Sequence, residues 1–195
     1  MERRLAALRD VHDKLSRVAT VDELTGLGNR RLLVRQLDFE IERGRRHRRS
    51  LSVALLDFDQ FEQLRAAYGQ AVGEAALRHF AERARYTLRG SDLIGRWDAQ
   101  AFLLLLPDTL SQAAAVSLSR LLESIRSHPL ETEGRSISLS VSAGVTSSAC
   151  NESSDTIIRR ADDALRQAKA AGCNQVAQLT QPDLRACQTQ EDSTA

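Results

Sequence analysis

Three short stretches carry residues whose types and spacing suit chemistry. Asp57-Phe58-Asp59-Gln60-Phe61 follows the apolar run Leu51-Ser52-Val53-Ala54-Leu55-Leu56. A carboxylate at a strand's end, beside the amides that open a helix, suits a magnesium-bound triphosphate: oxygen for the metal, N–H groups for the phosphates. An aspartate that only caps the following helix fits the same residues. Asp98-Ala99-Gln100-Ala101 stands between two apolar stretches, 93–97 and 102–106, with Pro107 ending the second. These flanks predict two short strands and a tight turn, buried on both flanks, that holds its tip rigidly. Just ahead lies Arg89-Gly90-Ser91-Asp92. An arginine and an aspartate at this spacing form either a ligand-binding pair or a turn ion pair worth about 0–1 kcal/mol.

The elements that must position these residues follow from periodicity. Ala19 to Arg31 reads as a linker turn, with Asp22 and Thr25 supplying capping oxygens and Gly26 and Gly28 allowing positive φ. A helix is predicted from Arg30 to about Glu42, with Leu32, Leu33, Leu37 and Ile41 inward. The run Arg43-Gly44-Arg45-Arg46-His47-Arg48-Arg49 reads as a solvated loop, since no aromatic residue interleaves its charges. A strand over 51–57 is apolar on both faces. Further helices are predicted near 60–67, 73–88, 111–126 and 155–171, and strands near 136–142 and 175–179. Alternating strands and helices give an α/β layered sheet. Residues 2–19 read as a helical stalk with Leu8, Val11, Leu15 and Val18 at a/d spacing, either a short coiled coil or a lone helix packed on the domain. A polar tail, expected to be disordered, occupies 181–195.

The motifs resemble those of the GGDEF domains, the diguanylate cyclases, over about residues 20 to 180. Asp22-Glu23-Leu24-Thr25-Gly26-Leu27-Gly28-Asn29-Arg30-Arg31 is similar to the family's opening motif, and Asp57-Phe58-Asp59-Gln60-Phe61 to its Asp-x-Asp-x-Phe. Ser142-Ala143-Gly144-Val145 and Ala161-Asp162-Asp163-Ala164-Leu165-Arg166-Gln167-Ala168-Lys169 match later motifs, and Arg96-Trp97 followed by Phe102 to Pro107 frames the signature hairpin. The resemblance implies an α+β layered fold with a mostly antiparallel central sheet wrapped by helices, akin to class III nucleotide cyclases. It also implies a reaction that joins two GTP into cyclic di-GMP with Mg²⁺.

The frame is kept and the tip is not. By the resemblance, Asp98 and Ala99 stand for the two glycines, Gln100 for a metal-binding acid and Ala101 for the adjacent catalytic glutamate. Asp57 is the other metal carboxylate and has lost its partner. Arg65 and Glu74 stand for the guanine-reading pair, Glu62 for a lysine, and Cys173 for a basic phosphate ligand, while Lys169 remains. The vestigial nucleotide pocket is thus Phe58, Asp59, Arg65, Glu74 and Lys169. One escape is Asp98 as a displaced metal ligand, sharing a strand face with Gln100 about 7 Å away. Otherwise no catalytic residue, no metal site and no cofactor are expected, with Mg²⁺ relevant only if GTP still binds.

Arg89 and Asp92 match the family's Arg-x-x-Asp inhibitory site for cyclic di-GMP, and Arg120 falls near a second arginine for the same ligand. A guanidinium can address guanine O6/N7 or a phosphate, and a carboxylate accepts from guanine N1–H and N2–H. The expected function is therefore a non-catalytic cyclic di-GMP receptor. The alternatives are a ligand-free interaction module, forming a homodimer or pairing with another signalling protein, and a residual cyclase. The bulk composition fits: net charge +1 over 195 residues argues for neither nucleic acid nor membrane partners. The cysteines Cys150, Cys173 and Cys187 have neither zinc nor disulfide spacing. No apolar run reaches a membrane span, and the N-terminus does not read as a signal peptide, so a cytoplasmic location is expected.

Overall fold

The computed structural model describes residues 20–149 and 152–179. The stalk expected over 2–19 and the tail expected over 181–195 lie outside the described residues. Element order is α1 (Arg30–His47), β1 (Leu51–Phe58), α2 (Phe61–Tyr68), α3 (Gln70–Thr87), β2 (Leu93–Arg96), β3 (Ala101–Pro107), α4 (Ser111–Ser127), β4 (Leu130–Thr132), β5 (Arg135–Ile137), β6 (Val141–Ser147), α5 (Ser154–Ala170) and β7 (Val176–Gln178). Five strands form one sheet in the order β2-β3-β1-β6-β7, antiparallel throughout except for the parallel pair β6–β7. The layered, mostly antiparallel fold expected from the motifs is the fold observed.

Period-two alternation sends the strand residues to two cores. Val53, Leu55, Leu103 and Leu105 face α1 and α5, meeting Leu33, Leu37, Ile157, Ala161 and Leu165. Ala54, Leu56, Phe102, Leu104 and Leu106 face α3 and α4, meeting Phe80, Ala84, Leu118 and Leu121. β1, at the sheet's centre, is covered on both faces, which is why it carries almost no polar side chain. On the α3 side Phe58, Phe61, Phe80 and Phe102 cluster, with the Phe80 and Phe102 centroids 4.1 Å apart.

Several expected boundaries are corrected. α1 runs on to His47, so Arg43 to His47 is helix and not loop. Arg43 pairs with Glu40 and Asp108, Arg45 and Arg46 with Glu42, and Arg49 with Asp108. Cations in a helix's last turn also meet its negative end, which extends the helix through a sequence that reads as unpatterned. Gly69, at φ 87, is the single hinge residue between α2 and α3, and Gly73 lies inside α3. The strand expected over 136–142 is two strands: β5 pairs with β4 in a separate two-stranded sheet, and β6 joins the main sheet. β2 is an edge strand, so the hairpin has the sheet on one flank only; on the other lies Gly28, bridged to Gly95. Among the described residues no helix is long and apolar enough to cross a membrane.

Candidate functional site

β2 and β3 pair antiparallel from Leu93↔Leu105 to Arg96↔Phe102, leaving residues 97–100 as the turn. Trp97 N and Asp98 N both donate to Ala101 O, at 2.8 and 3.2 Å. Asp98, Ala99, Gln100 and Ala101 all have negative φ, so this turn closes without glycine. Arg96 clamps it: Nη2 donates to Ala99 O at 2.7 Å and Nε to Asp98 O at 3.3 Å. The Arg30 guanidinium lies 4.3 Å from the Trp97 ring and holds the turn's base from α1. Asp98 and Gln100 are not on a strand, and the expectation that they share a strand face fails. Asp98 is exposed, and its Oδ1 accepts from the Ala99 amide at 2.7 Å.

Ala101 is the register partner of Asp57 across β1 and β3, and this pairing carries Gln100 to the aspartate. Gln100 Nε2 donates to Asp57 Oδ2 at 3.3 Å, and Lys169 Nζ, from the last turn of α5, pairs with the same oxygen. Lys169 also donates to Phe58 O at 3.4 Å. Asp57 Oδ1 is buried without a hydrogen-bond partner. Mg²⁺ takes six oxygens in near-ideal octahedral geometry and leans on carboxylates. Here one carboxylate faces an ammonium and an amide N–H, two hydrogen-bond donors that cannot ligate a cation. Among the described residues no group of three His, Cys, Asp or Glu is placed to hold a metal. The residues present do not fit a magnesium pair.

The neighbours have structural work. Asp59 accepts from Ser140 Oγ at 2.9 Å, Ser142 Oγ at 2.7 Å and Asn174 N at 3.0 Å, fixing the turn after α5 to the end of β1. That turn places Cys173 and Asn174 in left-handed conformation, at φ 62 and 49. Burial, and then the Asp59 carboxylate, push the Cys173 thiol above its ordinary range, so it stays neutral where the resemblance expects a cation. Phe58, placed in the nucleotide pocket by its motif, is instead a core side chain, 2% exposed; only its carbonyl reaches the site.

Arg65 and Glu74 line a cleft of about 340 Å³ with Leu24, Phe61, Gln70, Gly73, Leu77, Arg96 and Ala99. Arg65 is exposed and ion-paired to Glu62 at 3.5 Å, and its Cγ crowds Gly73. Glu74 accepts from Gln70 at 3.1 Å and Arg78 at 3.3 Å.

The remaining predicted residues converge elsewhere. α3 and α4 pack antiparallel: His79 Nε2 meets His128 O at 2.8 Å, and four residues later Arg83 meets Ser124 Oγ at 2.9 Å. Arg120 lies one turn before Ser124 on α4, in the direction of the C-terminal end of α3, and Arg89 and Asp92 follow that end in the chain. Asp92 Oδ2 accepts from the Arg89 amide at 3.0 Å, and Ser91 Oγ donates to Oδ1 at 3.4 Å. Among the described residues the Arg89 and Arg120 guanidinium groups have no ion-pair or hydrogen-bond partner, and both are exposed. Arg120 lines a shallow open groove of about 630 Å³ along α4 with Ala115, Val116, Ser119, Glu123, Ser124, Ser127 and His128.

Two relations were not read from the sequence. Arg96 Nη1 reaches Asp22 Oδ2 at 3.2 Å, joining the hairpin to the loop at residues 20–29. Asp22 Oδ1 accepts from Thr25 N and Oγ1, at 2.9 and 2.7 Å. Gly28 serves close approach and not positive φ: a Cβ on Gly95 would collide with the Gly28 carbonyl, which accepts from Arg96 N at 2.7 Å. A basic residue beside the turn and an aspartate in the opening motif were the available signals, but their 74-residue separation hides the pair.

The family model described as "Diguanylate cyclase, GGDEF domain" matches residues 19–175. The chain is 37% identical over 154 residues to Diguanylate cyclase DgcP of Pseudomonas aeruginosa, covering 79% of this chain and 23% of that protein. The chain thus spans about a quarter of that relative's length. It is similar to the crystal structure of the diguanylate cyclase SiaD from Pseudomonas aeruginosa in complex with its activator SiaC, with TM-score 0.82 and 36% identity over 91% of this chain and 68% of that one. It is also similar to a microbial GGDEF domain whose structure concerns an interaction mode with cyclic di-GMP, with TM-score 0.73 and 26% identity over 85% of this chain and 99% of that one.

Proposed function

The chain belongs to the diguanylate cyclase GGDEF domain family, and we propose that it acts in cyclic di-GMP signalling as a catalytically silent receptor that takes up cyclic di-GMP through Arg89, Asp92 and Arg120. One observation carries the reading: two exposed guanidinium groups without partners stand at one end of the α3–α4 seam, beside a turn ordered by Asp92. Exposed arginines without a partner occur elsewhere among the described residues, but here the free guanidinium groups accompany a carboxylate, and that combination is suited to an anionic, guanine-bearing ligand.

Silence is supported by the hairpin tip. Condensing two GTP into cyclic di-GMP requires a base near the 3′-hydroxyl and divalent cations on the triphosphate. Ala101 offers no side-chain oxygen, Gln100 is neutral, and the Asp57 carboxylate is already engaged by Lys169. Asp98 adds a negative charge to the edge that would face the phosphates.

Isothermal titration of the purified chain with cyclic di-GMP tests the reading. Binding is expected, and Arg89→Ala is expected to abolish it; no heat from the unaltered protein overturns the receptor role. Incubation with GTP and Mg²⁺ is expected to give no cyclic dinucleotide by chromatography, and product lost in Asp57→Ala would overturn the silence.

A further inference from the structure

Tyr86 is the most exposed large apolar side chain among the described residues, at 82%. It stands on the last turn of α3, with its ring 5.7 Å from the Arg83 guanidinium. That guanidinium donates through Nε and Nη2 to Ser124 Oγ on α4, at 3.1 and 2.9 Å. The ring lies within cation–π range of a cation that is itself anchored to the neighbouring helix, which biases its position by about 0.5–1 kcal/mol. Side chains on a helix lean toward its N-terminus, so the ring covers the turn around Arg83, whose partner Ser124 is one helical turn along α4 from Arg120. No other aromatic ring packs on it among the described residues.

We propose that Tyr86 is a stacking platform for one purine base of the cyclic dinucleotide held by Arg89, Asp92 and Arg120. The inference rests on the receptor reading and adds to it a residue that its motif does not contain. The division of labour is chemical. Guanidinium and carboxylate groups read the base edge and the phosphates, which fixes guanine. An aromatic face stacks on any base, so it supplies affinity without sequence preference. Arg83 steadies the ring through its own bonds to Ser124 and is a positioning residue.

Titration of the full chain with cyclic di-GMP separates the two claims. Tyr86→Ala is expected to bind about tenfold more weakly, and Tyr86→Phe, which keeps the ring, to bind like the unaltered protein. Tyr86→Leu, apolar but without a π face, is expected to behave like the alanine variant. At this exposure none of the three should change the far-ultraviolet circular dichroism spectrum. Undiminished binding by Tyr86→Ala, in a series where Arg89→Ala has lost it, overturns the platform and leaves the receptor standing. Failure of Tyr86→Phe to restore an affinity lost in Tyr86→Ala also overturns it, because the hydroxyl and not the ring would then matter. An unaltered protein that releases no heat removes both.

Discussion

Lys169 Nζ and Asp57 Oδ2 form an ion pair between the last turn of α5 and the end of β1. It places a protein cation on the carboxylate that the family motif reserves for a metal. The Asp57 side chain is 15% exposed, so its charge cannot be left to water. Lys169→Met is expected to lower stability by about 2 kcal/mol, the usual loss when a charged hydrogen-bond partner is removed. Adding Asp57→Asn should recover part of it. Urea denaturation of the two variants checks this, and equal midpoints for Lys169→Met and the unaltered chain would refute it.

Gln100 gives the complementary prediction. Its amide nitrogen is 3.3 Å from Asp57 Oδ2, so Gln100→Glu sets two carboxylates within about 4 Å, where repulsion costs on the order of 1 kcal/mol in water and more when half-buried. The variant should melt below the unaltered protein in chelator and gain stability when Mn²⁺ is added, because paired acids provide the oxygens a divalent ion needs. The unaltered protein should show no such gain. Thermal melts with and without Mn²⁺ read both results.

Asp22 predicts an acid limb. Burial by itself would raise its carboxyl, but the Thr25 hydroxyl and amide and the Arg96 guanidinium outweigh burial and hold it below the ordinary carboxylate range. The unfolded chain then binds the proton more readily, so stability rises with pH through this window. The contribution is complete above the unfolded value of about 3.9 and is lost as pH falls through it toward the folded one. Asp22→Asn should therefore flatten the fall in urea midpoint below about pH 4.5. An unchanged acid limb in the variant would count against the Asp22–Arg96 link.

Arg160 is the most heavily engaged arginine outside the candidate site. Nε donates to Thr146 Oγ1 at 2.6 Å, Nη2 to Ser147 O at 2.7 Å, and Nη1 and Nη2 to the Glu152 carboxylate at 2.6 and 2.8 Å. Arg160→Met removes the cation from the Glu152 carboxylate, whose side chain is 9% exposed and which keeps the Ala149 amide, and should cost about 3 kcal/mol in urea denaturation, near the range for breaking a buried pair. Arg160→Lys should rescue little, since one ammonium cannot serve four acceptors in a plane.

What the sequence made legible was what repeats along the chain. Apolar periodicity reads as a layered sheet, the motif resemblance implies its mostly antiparallel order, and the hairpin frame places the tip at Asp98 to Ala101, because burial on both faces of β1 and β3 demands those runs. Links that join distant residues of no special type stayed hidden. Arg160 with Thr146 and Lys169 with Asp57 follow from how α5 lies on the sheet, and no local pattern announces that. The last turns of α1 are polar and lack an apolar period, although their charges pair at helical spacing. The motif around Phe58 specifies a position and not the direction of its side chain.

Gly28 lies against Gly95 so closely that a side chain on Gly95 would strike the Gly28 carbonyl, and that carbonyl takes the outward amide of Arg96. A sheet margin with free amides invites a strand from another molecule and, through it, fibrous aggregation. Here that margin is already plugged by the chain's own backbone. A methyl group at Gly95 would push the plug away, and the harm would extend past lost stability: unzipped copies could stitch to one another along β2.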